Sequence, residues 1–191
     1  MGVDAPQVEA TAVNVPNLLS ISRILSIPIF VVLMLHPSPT RALAAGIIFA
    51  LASITDWLDG YLARKWGQVT KIGKLLDPVA DKLLIASALI MLVEVDPTRA
   101  PAWIVIVIIG REFAVTGLRA MAASDGIVIP AENMGKYKVG AQITAILSLV
   151  SNHYFESPWI ELLGSAALWS ALVLAIVSGA QYFVNYWRNL D

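Results

Sequence analysis

Six apolar stretches alternate with short polar breaks along the chain, at roughly 18–35, 42–63, 75–93, 101–120, 137–154 and 160–187. Each is long enough to cross a bilayer as a helix, which takes ~20 residues. The breaks carry turn chemistry: His36-Pro37-Ser38-Pro39, Asp96-Pro97, Asp125-Gly126 with Pro130, and Ser157-Pro158. The pattern predicts an all-α integral membrane protein of six transmembrane helices over residues 17–191, preceded by a polar tail over residues 1–16. That tail holds Asp4 and Glu9 and no basic residue, so it lacks the positive n-region of a cleaved signal peptide. No internal repeat or low-complexity tract is present.

Composition sharpens this reading. Hydrophobic residues make up 58% and charged residues 14% of the 191, with a mean hydropathy of +0.72. Soluble domains run near 45–50% and roughly 25%. The net charge of −1 supplies no basic excess of the kind that tracks nucleic-acid phosphates. The absence of cysteine excludes disulfides, thiolate metal sites and cysteine nucleophiles. With the N-terminus cytoplasmic, nine basic residues (Arg23, Arg64, Lys65, Lys71, Lys74, Arg119, Lys136, Lys138, Arg188) fall at the inner face and only Arg41 and Arg99 at the outer. This bias puts both termini in the cytoplasm, with Trp159, Trp169 and Trp187 as interfacial anchors.

Candidate chemistry lies where charge interrupts the spans. Only 14 uncharged residues separate Arg41 from Asp56, about 21 Å of helix, which is short of the ~30 Å of hydrocarbon. The second span therefore carries Asp56 and Asp59 in its cytoplasmic part, and the third carries Asp77 and Asp81 in its first turns. The i,i+3 and i,i+4 spacings put each pair on one helix face, and an antiparallel hairpin brings the pairs to similar depth. Carboxylates in a membrane are costly and mark function. Four at close range stay ionised only when cations neutralise them. Hard oxygen ligands suit Mg²⁺ or Mn²⁺, and two such ions support in-line phosphoryl displacement. The two histidines, His36 and His153, fall near outer loops and read as surface residues.

The run Asp56-Trp57-Leu58-Asp59-Gly60-Tyr61-Leu62-Ala63-Arg64, then Gly73, Asp77 and Asp81, reads D-x2-D-G-x2-A-R-x8-G-x3-D-x3-D across 26 residues. It resembles the signature of the CDP-alcohol phosphotransferases at every fixed position. The resemblance implies a six-helix membrane enzyme that transfers a substituted phosphoryl group from a CDP-linked donor to an alcohol and releases CMP. It also implies that Asp56, Asp59, Asp77 and Asp81 hold two divalent cations, that Asp81 is the base for the acceptor hydroxyl, and that Asp59, Gly60, Ala63, Arg64 and Gly73 contact the donor's CDP part. Asn17 to Arg23, Gly110-Arg111-Glu112-Phe113, Gly117-Leu118-Arg119 and Gly135 to Lys138 extend the likeness to bacterial members that join CDP-diacylglycerol to sn-glycerol 3-phosphate. That likeness implies a bacterial inner-membrane enzyme with its site facing the cytoplasm, and a homodimer. For the dimer interface, Gly110, Gly117 and Gly140 offer small residues.

The acceptor has a physical argument of its own. Arg111 and Glu112 lie deep in the fourth span, 11 uncharged residues from Arg99. As i,i+1 neighbours they do not face each other, so they call for separate partners. Arg111 and Arg119 are close to two turns apart and are read as one face. With Lys136 they form a basic pocket for an acceptor phosphate. The alternatives are the same chemistry with inositol phosphate and, outside enzymes, a divalent-cation transporter. Transport is disfavoured because the acids cluster at one face.

Overall fold

In the computed structural model the backbone is described over residues 15–66, 71–124 and 134–188, and the side chains over 18–55, 78–124 and 134–188. The described residues are helical with no strand: α1 (Val15–Leu35), α2 (Pro39–Trp66), α3 (Lys71–Val95), α4 (Ala102–Ser124), α5 (Met134–Phe155) and α6 (Pro158–Arg188). All six expected segments are present, each extended by a few residues. Most of the polar tail lies outside the described residues.

Local chemistry sets the helix ends. The polar break between α5 and α6 is a left-handed cap: Glu156 takes φ of 47°, and its N–H bonds back to Asn152 O at 2.9 Å. The buried Asn152 Oδ1 accepts the Ser157 N–H at 2.8 Å, satisfying a donor that the turn exposes. Pro158 then opens α6, where its missing N–H costs nothing. Between α3 and α4, Asp96 accepts from Thr98 Oγ1 at 2.7 Å and from the Arg99 N–H at 3.2 Å.

The helices form a ring in the order α1, α2, α5, α6, α4, α3, with α3 also meeting α5 and α2. Among the described residues α4 and α5 make no direct backbone approach. The core is continuous from Phe30 and Met34 of α1 through Phe49, Leu84, Leu89, Ile104 and Ile146 to Leu168, and Phe30 meets Phe49 with ring centroids 6.0 Å apart. Small residues line the helix crossings, among them Ala42, Ala45, Ala88, Ala145, Ala171 and Ala175, all fully buried. At Gly164 a Cβ would stand 2.8 Å from both Leu149 Cγ and Cδ2. Small residues at crossings let helices approach closely and gain packing contacts.

The outside of the ring is apolar. Leu18, Ile21, Leu25, Ile29, Val32 and Leu35 form an exposed stripe on α1, and Trp159 and Trp187 are 80% and 66% exposed. Trp169 packs edge-on against Trp103, centroids 5.6 Å apart. Among the described residues two helices, Leu18–Leu35 and Pro158–Arg188, are long and apolar enough to cross a membrane. Charged side chains interrupt the others: Asp81 and Lys82 in α3, Arg111 and Glu112 in α4, Lys138 in α5.

Candidate active site

The signature occupies the end of α2 and the start of α3. Asp56, Asp59, Gly60, Ala63 and Arg64 lie on the last turns of α2, and Gly73, Asp77 and Asp81 on the first turns of α3. These two helices meet in the ring. The side chains of 56–77 lie outside the described residues, which leaves Asp81 as the one signature carboxylate whose surroundings are described. Among the described residues no group of three or more acids, histidines or cysteines converges on a metal position.

Asp81 opens onto a cavity between α3, α4 and α5, whose polar lining includes Lys82, Glu112 and Gln142 and whose apolar floor includes Ile85 and Ile108. Its α4 wall is an ion network. Lys138, with its side chain 5% exposed, donates from Nζ to Glu112 Oε1. Arg111 Nη1 stands 3.5 Å from the same oxygen. Arg111 Nη2 donates to Ser178 Oγ at 2.9 Å, and its guanidinium lies 5.7 Å from the Tyr182 ring centroid, within cation–π range. Gly179 makes room for this arm, since a Cβ there would meet Arg111 Cγ at 3.1 Å. Lys138 and Glu112 thus join α5 to α4 across the cavity, and Arg111 ties α4 to α6.

Two sequence expectations change here. Arg111 and Glu112 do find separate partners, Ser178 with Tyr182 and Lys138, yet they also stand at ion-pair distance from each other. Their flexible side chains bend to the shared oxygen in a buried space where an unpaired charge would be costly. Arg111 and Arg119 do not share a face in the way expected. Eight residues make about 2.2 turns, an offset of ~80°, so Arg111 lies with Val115, Leu118 and Ala122 against α6 while Arg119 is exposed. Lys136 is exposed as well.

Two of the basic residues counted for topology are buried. Lys138 is buried in the network. Arg23 is 1% exposed, packed against α2 with Nε donating to Ala52 O at 3.4 Å. Arg99 at the opposite end is held by Asp96 and by Glu161, with Nε–Oε1 at 2.8 Å, and these bonds, Glu161 foremost, raise its pKa. Sequence reasoning missed Gln142, Ser178 and Tyr182. The signal for Gln142 was a polar residue one turn after Lys138 inside an apolar run; Ser178 and Tyr182 gave none, because their role depends on where α6 docks.

Fold and signature together define a helical transferase class acting on CDP-linked alcohols. Residues 13–177 match the family described as CDP-alcohol phosphatidyltransferase, and the chain belongs to that family. Among curated proteins it is 47% identical to the CDP-diacylglycerol–glycerol-3-phosphate 3-phosphatidyltransferase of Bacillus subtilis (strain 168), over 93% of this chain and 97% of the relative. Proteins of the same name from Pseudomonas fluorescens and Rickettsia bellii (strain RML369-C) are 41% and 39% identical, over 93% and 89% of this chain and 92% and 93% of theirs.

Proposed function

We propose that the chain transfers the phosphatidyl group of CDP-diacylglycerol to sn-glycerol 3-phosphate, giving phosphatidylglycerol phosphate and CMP. The observation that carries this reading is that relatives matched over nearly their whole length bear that name. The described geometry supports it, because Asp81 faces a cavity walled by buried ionic groups beside the α2–α3 signature.

In this reading the Asp81 carboxylate takes the proton from the acceptor's 1-hydroxyl as that oxygen bonds to the donor's β-phosphorus and CMP leaves. Asp59, Gly60, Ala63, Arg64 and Gly73 hold the CDP part, with Arg64 suited to pyrophosphate by its two-pronged donor group. Asp56, Asp59, Asp77 and Asp81 offer the all-oxygen donor set that Mg²⁺ or Mn²⁺ prefers. When bound, such ions neutralise charge on the pyrophosphate. Arg119 and Lys136, both exposed, are the proposed contacts for the acceptor phosphate, while Arg111 braces α4 against α6.

We place all six helices across a bacterial inner membrane with the signature on the cytoplasmic side and both termini inside. The exposed apolar stripes on α1 and α6 support this. A homodimer through α4 is part of the same proposal: Gly110 and Gly117 are exposed, and a Cβ at either would meet nothing within 4 Å inside the protomer.

The purified protein, given CDP-diacylglycerol and Mg²⁺, should release CMP with sn-glycerol 3-phosphate and not with inositol phosphate, serine or inositol. Asp81→Asn should keep donor binding and lose turnover by ~10² to 10⁴-fold. Asp56→Ala and Asp77→Ala should lose Mn²⁺ binding together with CMP release. Release with another acceptor alone would overturn the assignment. A cysteine at Ser38 should react with an impermeant thiol reagent only from outside the cell, and labelling from inside would overturn the topology.

A further inference from the structure

Gln142 of α5 is 2% exposed, and its Nε2 has no hydrogen-bond partner among the described residues. A buried amide donor without a partner carries a desolvation penalty. Gln142 lines the same cavity as Asp81 and Glu112. That cavity, about 20 Å³, has room for one or two water-sized groups, since one water takes ~10–15 Å³. It is too small for a whole acceptor and the right size for a hydroxyl. Its polar wall offers a donor, Gln142 Nε2, and an acceptor, the Glu112 carboxylate, which Lys138 and Arg111 hold in place through Oε1.

We infer that Gln142 is a specificity-determining residue that reads the hydroxyl next to the attacking one on the acceptor, accepting help from Glu112. This rests on the glycerol 3-phosphate reading above. In a vicinal diol the two oxygens sit on adjacent carbons, so when one meets Asp81 the other falls within the cavity that Asp81 shares with Gln142. That second hydroxyl accepts from Gln142 Nε2 and donates to the Glu112 carboxylate, satisfying both groups. An acceptor without it leaves the buried Gln142 amide unmatched. Sites built to hydrogen-bond a substrate hydroxyl reject analogues that lack one for this reason.

The test compares sn-glycerol 3-phosphate with 3-hydroxypropyl phosphate, which keeps the attacking hydroxyl and the phosphate but lacks the middle hydroxyl. Kinetics of CMP release are followed for the full chain and for Gln142→Leu, with the KM for CDP-diacylglycerol as a check on folding. The unaltered protein should prefer glycerol 3-phosphate in kcat/KM by about ten- to a hundredfold. In Gln142→Leu the preference should shrink to within about threefold, mainly through a loss on glycerol 3-phosphate, with the donor KM unchanged. A role confined to packing would lower both substrates alike and keep their ratio. Where Gln142→Leu fails to yield folded protein, Gln142→Met, of similar size and shape but without a donor, should show the same collapse of the ratio. Equal use of both phosphates by the unaltered protein, or a full preference retained in the variants, would overturn the inference alone. No CMP release with either phosphate would overturn the acceptor assignment and this inference with it.

Discussion

Glu112 is the joint at which α4, α5 and α6 are tied around the cavity, and its removal should cost more than removal of either cation. Its Oε1 receives Lys138 and stands 3.5 Å from Arg111 Nη1, and the two side chains are 5% and 11% exposed. Glu112→Gln keeps the shape and deletes the charge, which leaves two buried cations against a neutral amide. Breaking a buried pair in this way costs about 3–5 kcal/mol. Lys138→Met deletes one cation and leaves Glu112 its Arg111 contact, so the loss is nearer the ~1.5–3 kcal/mol of one charged hydrogen bond. At ~2–4 °C per kcal/mol for a chain of this size, the apparent Tm in detergent should fall by roughly 6–20 °C for Glu112→Gln and by a smaller amount for Lys138→Met. The double variant should lose less than the sum of the two, by about 0.5–3 kcal/mol of coupling. Thermal unfolding of the four proteins at one pH and salt concentration measures the cycle. A Lys138→Met loss equal to or larger than that of Glu112→Gln, or strictly additive losses, would refute the network.

Three further outcomes follow from other parts of the molecule. Gly164→Ala puts a Cβ 2.8 Å from Leu149 Cγ and 3.1 Å from Ser148 Cβ, so it should lower stability by about 1–3 kcal/mol through overpacking, visible as a lower Tm, whereas Gly110→Ala, inside α4 with nothing within 4 Å in the protomer, should keep or raise protomer stability, by up to ~1 kcal/mol. Arg119→Ala or Lys136→Ala should raise the KM for glycerol 3-phosphate by roughly ten- to a hundredfold with the CDP-diacylglycerol KM within about threefold; an equal rise for both substrates would remove these residues from the acceptor site. Burial alone would raise the Asp96 pKa, but hydrogen bonds from Thr98 and Arg99 outweigh it and hold it below the usual 3.8. A lowered folded-state pKa stabilises above the unfolded value and loses that contribution as pH falls through the folded one, so the Tm should drop in the acid range below 3.8, and Asp96→Asn should flatten that drop.

Much of this architecture was legible because helices in apolar stretches are set by local information. The lengths of the apolar runs and the proline, glycine and aspartate breaks between them specify where α1 to α6 begin and end, since each backbone group is satisfied within its own helix. The signature is likewise local: its eight positions over Asp56 to Asp81 lie on the end of α2 and the start of α3, consecutive in sequence, so spacing alone puts the acids on neighbouring helix ends. What spacing does not carry is the partner of a side chain on another helix. Arg111 and Arg119 were grouped by their separation along α4, but the docking of α6, with Ser178, Gly179 and Tyr182 presenting a hydroxyl, a gap and a ring, draws Arg111 away. Lys138 and Arg23 lie near helix ends in the sequence, and the packing of α5 and α1 buries them. Gln142 acquires meaning only because α3, α4 and α5 leave a small cavity where its amide, Glu112 and Asp81 meet. Periodicity, breakers and spacing specify the six helices, their order along the chain and the acidic signature. The ring order, the burial of the cations and the shape of the cavity were decided by tertiary packing, because they depend on which faces of helices far apart in sequence come together.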